Sequence, residues 1–186
     1  AAAAIDLSKV SDRLGRHLDG VLGHSLLNKR IVQFVYPRRI VRFFDEPPAA
    51  AAGSVTVKFR YADNLLLDDV WINGVKATGN LDTGSSGTFA LTPAAVTRLG
   101  LQDAVAKAAP ATSVGFNGQY DHRVGRIGSI RVGDVEMRDA DVTFFSPGTG
   151  YDKRPWDVNI GNQFFKDYVV TIDYRKKTVT LTKPSL

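Results

Sequence analysis

The stretch Leu81-Asp82-Thr83-Gly84-Ser85-Ser86-Gly87 decides the reading of this chain. It sets one carboxylate on a tight polar turn, reached by an apolar approach through Trp71, Ile72, Val75 and Leu81. Asp, Thr, Gly and Ser are what any turn would use, so the run alone specifies little. Its surroundings specify more. Thr88-Phe89-Ala90-Leu91 follows as a strand, and residues 92–101 follow as a short helix that Thr92 can cap, with Pro93 in its first turn and Gly100 at its end. The carboxylate therefore lies on a loop between a strand and a helix.

Outward from that loop, strands dominate. Residues 55–60 alternate with period two, and residues 70–77 read as a hairpin whose Asn73-Gly74 supplies the positive φ angles of a tight turn. Downstream, residues 112–120, 124–132 and 135–138 read as strands, with Asn117-Gly118 as a turn. Then come Val158-Asn159-Ile160-Gly161, a helix-like run over residues 162–168, a strand over 169–174, a basic turn, and a strand over 178–181. A break at residues 46–54, rich in Pro, Ala and Gly, separates this part from the first 45 residues.

This order of motifs resembles the aspartic protease family, in particular the retropepsin-like and bacterial aspartyl proteases, over essentially all of residues 55–182. The resemblance implies an all-β fold with few short helices, built as a pepsin/retropepsin-like closed β-barrel lobe. It implies hydrolysis of peptide bonds by water activated between two Asp side chains, acting on a peptide or protein without a cofactor. On this chain Asp82 takes the catalytic position. Thr83 would hydrogen-bond across to an opposing loop, Gly84 would let the backbone approach the carboxylate, and Ser85 would bond its outer oxygen. Ile160 and Gly161 would pack beneath the loop, while Asn159 stands where the family usually has an apolar residue. The hairpin over residues 112–120 takes the place of the flap, with Phe116, Asn117, Gly118 and Tyr120 as substrate contacts; an ordinary hairpin would carry the same aromatics.

An internal repeat appears independently of any family. Asp19-Gly20-Val21-Leu22-Gly23-His24-Ser25-Leu26-Leu27 aligns with Asp157-Val158-Asn159-Ile160-Gly161-Asn162-Gln163-Phe164-Phe165 at an offset of 138. The alignment continues without a gap, so that residues 31–36 fall on 169–174, Arg38-Arg39 on Lys176-Lys177, and residues 40–43 on 178–181. Leu22 and Gly23 thus take the supporting places of Ile160 and Gly161. The expected organisation is a C-terminal portion of an incomplete first lobe over residues 1–48, a linker over 49–54 and a complete lobe over 55–186. These 186 residues contain one Asp-Thr/Ser-Gly run, so a partner carboxylate would come from a missing N-terminal segment or from a second copy across a homodimer. A catalytically inactive peptide-binding or assembly module with the same fold is the alternative.

Composition narrows the remaining classes. A chain of 186 residues with 44% apolar residues can bury a substantial core. No run approaches the roughly 18 apolar residues of a spanning helix, so no membrane span is expected. Zero cysteines exclude disulfides and thiol catalysis, and three scattered histidines give no zinc spacing. The net charge of +5 is concentrated in residues 1–45, where eight Lys/Arg face four Asp/Glu. Arg38, Arg39 and Arg42 flank a strand turn without interleaved aromatics, which reads as a solvated strand face and not as a nucleic-acid platform. The family resemblance adds the expectation of a periplasmic or exported setting.

Overall fold

The computed structural model of the chain describes residues 6–115 and 118–184, and strands joined edge to edge are its dominant element. Helices α1 (Ser8–Leu14) and α2 (His24–Leu27) precede a hairpin of β1 (Ile31–Val35) and β2 (Ile40–Phe44), whose strands are joined by a 3-10 turn over Tyr36–Arg38. The next strands are β3 (Val55–Tyr61), β4 (Leu65–Ile72), β5 (Val75–Leu81) and β6 (Phe89–Leu91). Two short helices follow, α3 (Pro93–Arg98) and α4 (Gln102–Lys107), and then the long strands β7 (Ala109–Gly115), β8 (Gly118–Val132) and β9 (Val135–Phe145). The chain closes with β10 (Val158–Ile160), α5 (Asn162–Phe165), β11 (Val169–Asp173) and β12 (Thr178–Thr182). No helix among the described residues is long and apolar enough to cross a membrane.

The strand order is β2-β1-β11-β12-β3-β4-β5-β10-β6-β9-β8-β7. An additional β4–β8 pairing closes β4, β5, β10, β6, β9 and β8 into a ring. The all-β class with a closed lobe is therefore the one expected. Strand β4 makes the closure possible: a register shift between Leu67 and Val70 bends it, so that its second half, Val70 to Ile72, also pairs with residues 130–132 of β8. Buried Leu67, Val70, Ile72, Leu91, Ile127, Ile130, Phe144 and Phe165 fill the interior.

Local chemistry explains the turns. Asn73 (φ 48°) and Gly74 (φ 79°) both lie in the left-handed region that the tight β4–β5 hairpin requires. Thr92 caps α3 by accepting the Ala95 N–H at 3.1 Å, with Pro93 in the first turn. Four elements differ from the sequence reading. Helices α1 and α4 form where none was set apart, β9 runs on to Phe145 instead of ending at residue 138, and α5 has four residues instead of spanning 162–168, because the Tyr168 N–H turns back to the Phe165 carbonyl.

The segments related by the 138-residue offset share backbone geometry. Gly23 (φ −98°, ψ −178°) and Gly161 (φ −101°, ψ −177°) each precede a four-residue helix, and Arg39 (φ 55°) and Lys177 (φ 53°) occupy the same left-handed position before the second strand. Strands β1 and β11 pair antiparallel with Gln33 opposite Thr171, two residues that are themselves one offset apart. A pseudo-two-fold axis therefore passes between them, and Gln33 Nε2 donates to Thr171 Oγ1 at 3.1 Å. Burial is not symmetric. Strand β12 pairs with β3 on its outer edge, whereas among the described residues β2 has no strand on its outer edge. Ile160 and Leu181 are 0% and 2% exposed, but their counterparts Leu22 and Phe43 are 68% and 49% exposed.

That inversion sets an expected contrast in stability. Leu181→Ala should cost about 2–5 kcal/mol through the cavity it leaves, while Phe43→Ala at the equivalent position should cost less than about 1 kcal/mol. Urea unfolding of the two variants against the parent measures both.

Candidate active site

Strands β5 and β10 run parallel, with Asn80 opposite Asn159 and Leu81 opposite Ile160. Parallel pairing brings the two strand ends to the same side, so the loop after β5 lies beside the segment that leads from β10 into α5. Four backbone bonds join them: Asp82 N–H to Ile160 O (2.9 Å), Gly161 N–H to Thr88 O (2.9 Å), Asn162 N–H to Ser85 O (2.9 Å) and Gln163 N–H to Gly87 O (3.1 Å). Gly161 permits this approach. A Cβ there would collide with the Gly87 carbonyl oxygen and stand 2.9 Å from Ser85 Oγ.

The half-buried Asp82 carboxylate is held at both oxygens. Oδ1 accepts the Gly84 N–H at 2.9 Å, and Oδ2 accepts an Asn159 Nδ2–H at 3.0 Å. Asn159 Oδ1 in turn accepts an Asn80 Nδ2–H at 2.6 Å, within a buried amide pair. Ser85 does not supply the carboxylate contact expected of it: its Oγ lies over Gly161, and the Asn159 amide takes that role. Thr83 is engaged through its carbonyl, which accepts Asn162 Nδ2–H at 2.9 Å.

A second layer reaches the loop from the other side of the pseudo-axis. The Tyr36 hydroxyl, on the turn between β1 and β2, donates to Asn162 Oδ1 at 2.6 Å. Burial, and secondarily the charge of Asp82, pushes the Tyr36 phenol up to about 12. The repeat reproduces the pair with different chemistry, since Tyr174 and His24 occupy the places of Tyr36 and Asn162. Their rings meet edge to face at 5.3 Å, and His24 also stacks on Tyr61 at 3.7 Å. Burial, with Tyr61 adding, pushes Tyr174 up to about 12 as well.

An aromatic wall stands beside the carboxylate. Tyr151, in the loop between β9 and β10, stacks on Phe145 at 3.6 Å, and Tyr120 of β8 lies 5.8 Å from both rings. The Tyr151 phenol is raised first by burial, with Tyr120 and Asp82 adding and Arg154 opposing. Gly118 opens β8 opposite Gly115, while the flap residues Phe116 and Asn117 lie outside the described residues. Leu22 and Gly23 sit on the far side of the pseudo-axis, away from Asp82, with open space where a Gly23 Cβ would be.

Sequence reasoning brought Asp82, Gly84, Ile160 and Gly161 to one place and missed Asn80, Asn162, Tyr36 and Tyr151. Only the matched pair Tyr36 and Tyr174 carried a signal, through the repeat. The outcome is a carboxylate with two fixed donors, an aromatic wall beside it, and a loop bonded to its seat through the backbone.

A family model described as "Aspartyl protease" matches residues 69–164, which hold both the Asp82 loop and Gly161. Among solved structures, the chain is similar to a retropepsin-like aspartic protease from Rickettsia conorii, at 20% identity over 69% of this chain and 89% of that one, with a TM-score of 0.51. This likeness concerns the fold. Basic 7S globulin from soybean (13% identity, TM-score 0.44) and conglutin gamma from lupine seeds (10% identity, TM-score 0.46) each cover 96% of this chain and 54% of their own. No curated protein matches the chain by sequence.

The raised phenols make stability depend on alkali. Both Tyr36 and Tyr174 move from 10.0 to about 12, so folding favours their neutral forms. That contribution is fully present below pH 10 and is lost as pH rises through about 12. Tyr36→Phe should lower the unfolding free energy by about 1 kcal/mol at neutral pH through the lost bond to Asn162. It should also flatten the alkaline decline, as measured by urea unfolding at about pH 9 and about pH 11.5.

Proposed function

Because the chain belongs to the aspartyl protease family, we propose that it is an endopeptidase in which Asp82 forms one half of a carboxylate pair that activates water. Two carboxylates roughly 3 Å apart cannot both ionise and so share a proton. The ionised one removes a proton from water while the other hydrogen-bonds the scissile carbonyl, and the water oxygen attacks the carbonyl carbon. The substrate is a peptide or protein segment lying between the Asp82 loop and the strand that carries Tyr120.

One observation carries the reading. The backbone seat that holds the Asp82 loop, Ile160-Gly161-Asn162, recurs across the pseudo-axis as Leu22-Gly23-His24 with the same backbone angles at the glycine and with Leu22 exposed. A second Asp-bearing loop on that seat would face Asp82. Strand β11 already pairs with β1 of the same chain, which favours a further lobe beyond these 186 residues as the source. A symmetric pair of chains is the other possible source.

Asp82→Asn is nearly isosteric and removes the titratable group. Hydrolysis of a fluorogenic peptide mixture at acid pH should fall by about three orders of magnitude or more, with an unchanged circular dichroism spectrum and with binding of a pepstatin-type inhibitor weakened. Unchanged turnover in the variant sinks the assignment. Equal peptide binding by both proteins with turnover by neither identifies the peptide-binding module instead. Light scattering of the active species tells a chain carrying an additional lobe from a dimer.

A further inference from the structure

We propose that Asn159, locked by Asn80, is a positioning residue that fixes the Asp82 carboxylate and makes Asp82 the ionised member of its pair. The proposal rests on the reading of Asp82 as catalytic. Asn80 and Asn159 are 7% and 8% exposed and stand directly opposite each other on the parallel strands β5 and β10, so their side chains share one face. Their antiparallel neighbours on the outer strands are Leu66 opposite Asn80 and Ala90 opposite Asn159. Apolar flanks of this kind would suit an apolar pair, and two amides persist there only if each is satisfied.

The direction of the amides follows from their bonds. Asn80 donates to Asn159 Oδ1, which leaves Asn159 Nδ2 as the group aimed at Asp82 Oδ2. With the Gly84 N–H on Oδ1, each oxygen of Asp82 receives a donor, and donors of this kind favour the charged form of a carboxylate. Across the pseudo-axis the residue in the place of Asn159 is Val21, which has no side-chain donor. An opposing Asp seated there would lack the second bond and hold the shared proton. Asp82 would then receive the water proton, and the opposing Asp would give its proton to the substrate carbonyl oxygen as the water oxygen bonds to carbon. The titratable groups coupled to Asp82 from neighbouring elements are Tyr36 and Tyr151, both raised phenols that stay neutral throughout the working range of a carboxylate pair.

The test is a carbon-13 titration of the Asp82 carboxyl in the 186-residue chain, in Asn159→Leu and in the double variant Asn80→Leu/Asn159→Leu, which leaves no unpaired amide behind. Loss of the donor should move the Asp82 titration midpoint up by about one pH unit, a tenfold change in proton affinity. An unmoved midpoint in the double variant overturns the proposal. In the hydrolytically active species, the acid limb of the kcat/KM profile should move by the same amount, because that limb reports the ionised member. Movement of the alkaline limb alone reverses the assignment of the proton and overturns it as well. The catalytic reading fails separately, by full hydrolysis in Asp82→Asn, and that result would leave the carboxyl titration unaffected.

Discussion

The parallel pairing of β5 with β10 is the constraint on which the rest of the molecule depends. A side chain on a loop is positioned only as well as the loop itself, and here the loop is bonded through its backbone to the segment that begins α5. Two parallel strands cannot be joined by a tight turn and need a crossover. Residues 82–157 supply it, and they contain β6, both short helices and the three long strands β7, β8 and β9. Strand β6 also returns to pair antiparallel with β10, so β10 is flanked on both edges and cannot slide. The closed ring of strands is therefore the price of holding one carboxylate still.

Around the pseudo-axis the same sequence pattern meets two environments. Val170 of β11 and Val32 of β1 are buried alike, because each strand has a neighbour on both edges. The outer strands differ. Val179 on β12 is covered by the lobe, while Val41 on β2 is 49% exposed. On the proposed function, the apolar row left open in the other copy is where a second Asp-bearing lobe would rest.

The parts that were legible in the sequence are those governed by local chemistry. Asn73-Gly74, Thr92-Pro93 and the alternation along β3 each specify their own backbone within a few residues. Helix α4 was not legible, because residues 102–107 carry no capping side chain at the start and no glycine at the end. Family resemblance led to Ser85 as the carboxylate partner, but the donor is an amide 77 residues away in the chain. Asn159 stood out as a departure from an apolar position, yet its meaning depends on Asn80, 79 residues earlier, and only the register of two parallel strands brings them together. The same is true of Tyr36 and Asn162, separated by 126 residues and joined only through the pairing of β1 with β11.

The differences between the two seats bear on the kind of partner the site would take. In a symmetric pair of chains, each Asp82 would rest on its own Ile160-Gly161-Asn162, and both carboxylates would have an Asn159 beside them. The Leu22-Gly23-His24 seat would then have no loop to hold, although it keeps the glycine backbone angles and the helix of the other and puts an aromatic contact in place of its cross-axis hydrogen bond. A lobe resting on that seat would use all of these features and meet Val21 and His24 where the Asp82-Thr83 loop meets Asn159 and Asn162. Two carboxylates that share one proton need unequal surroundings to hold it on a defined side. On the proposed function, the divergence between the seats would supply that inequality within one chain, which identical subunits could achieve only by breaking their symmetry when substrate binds.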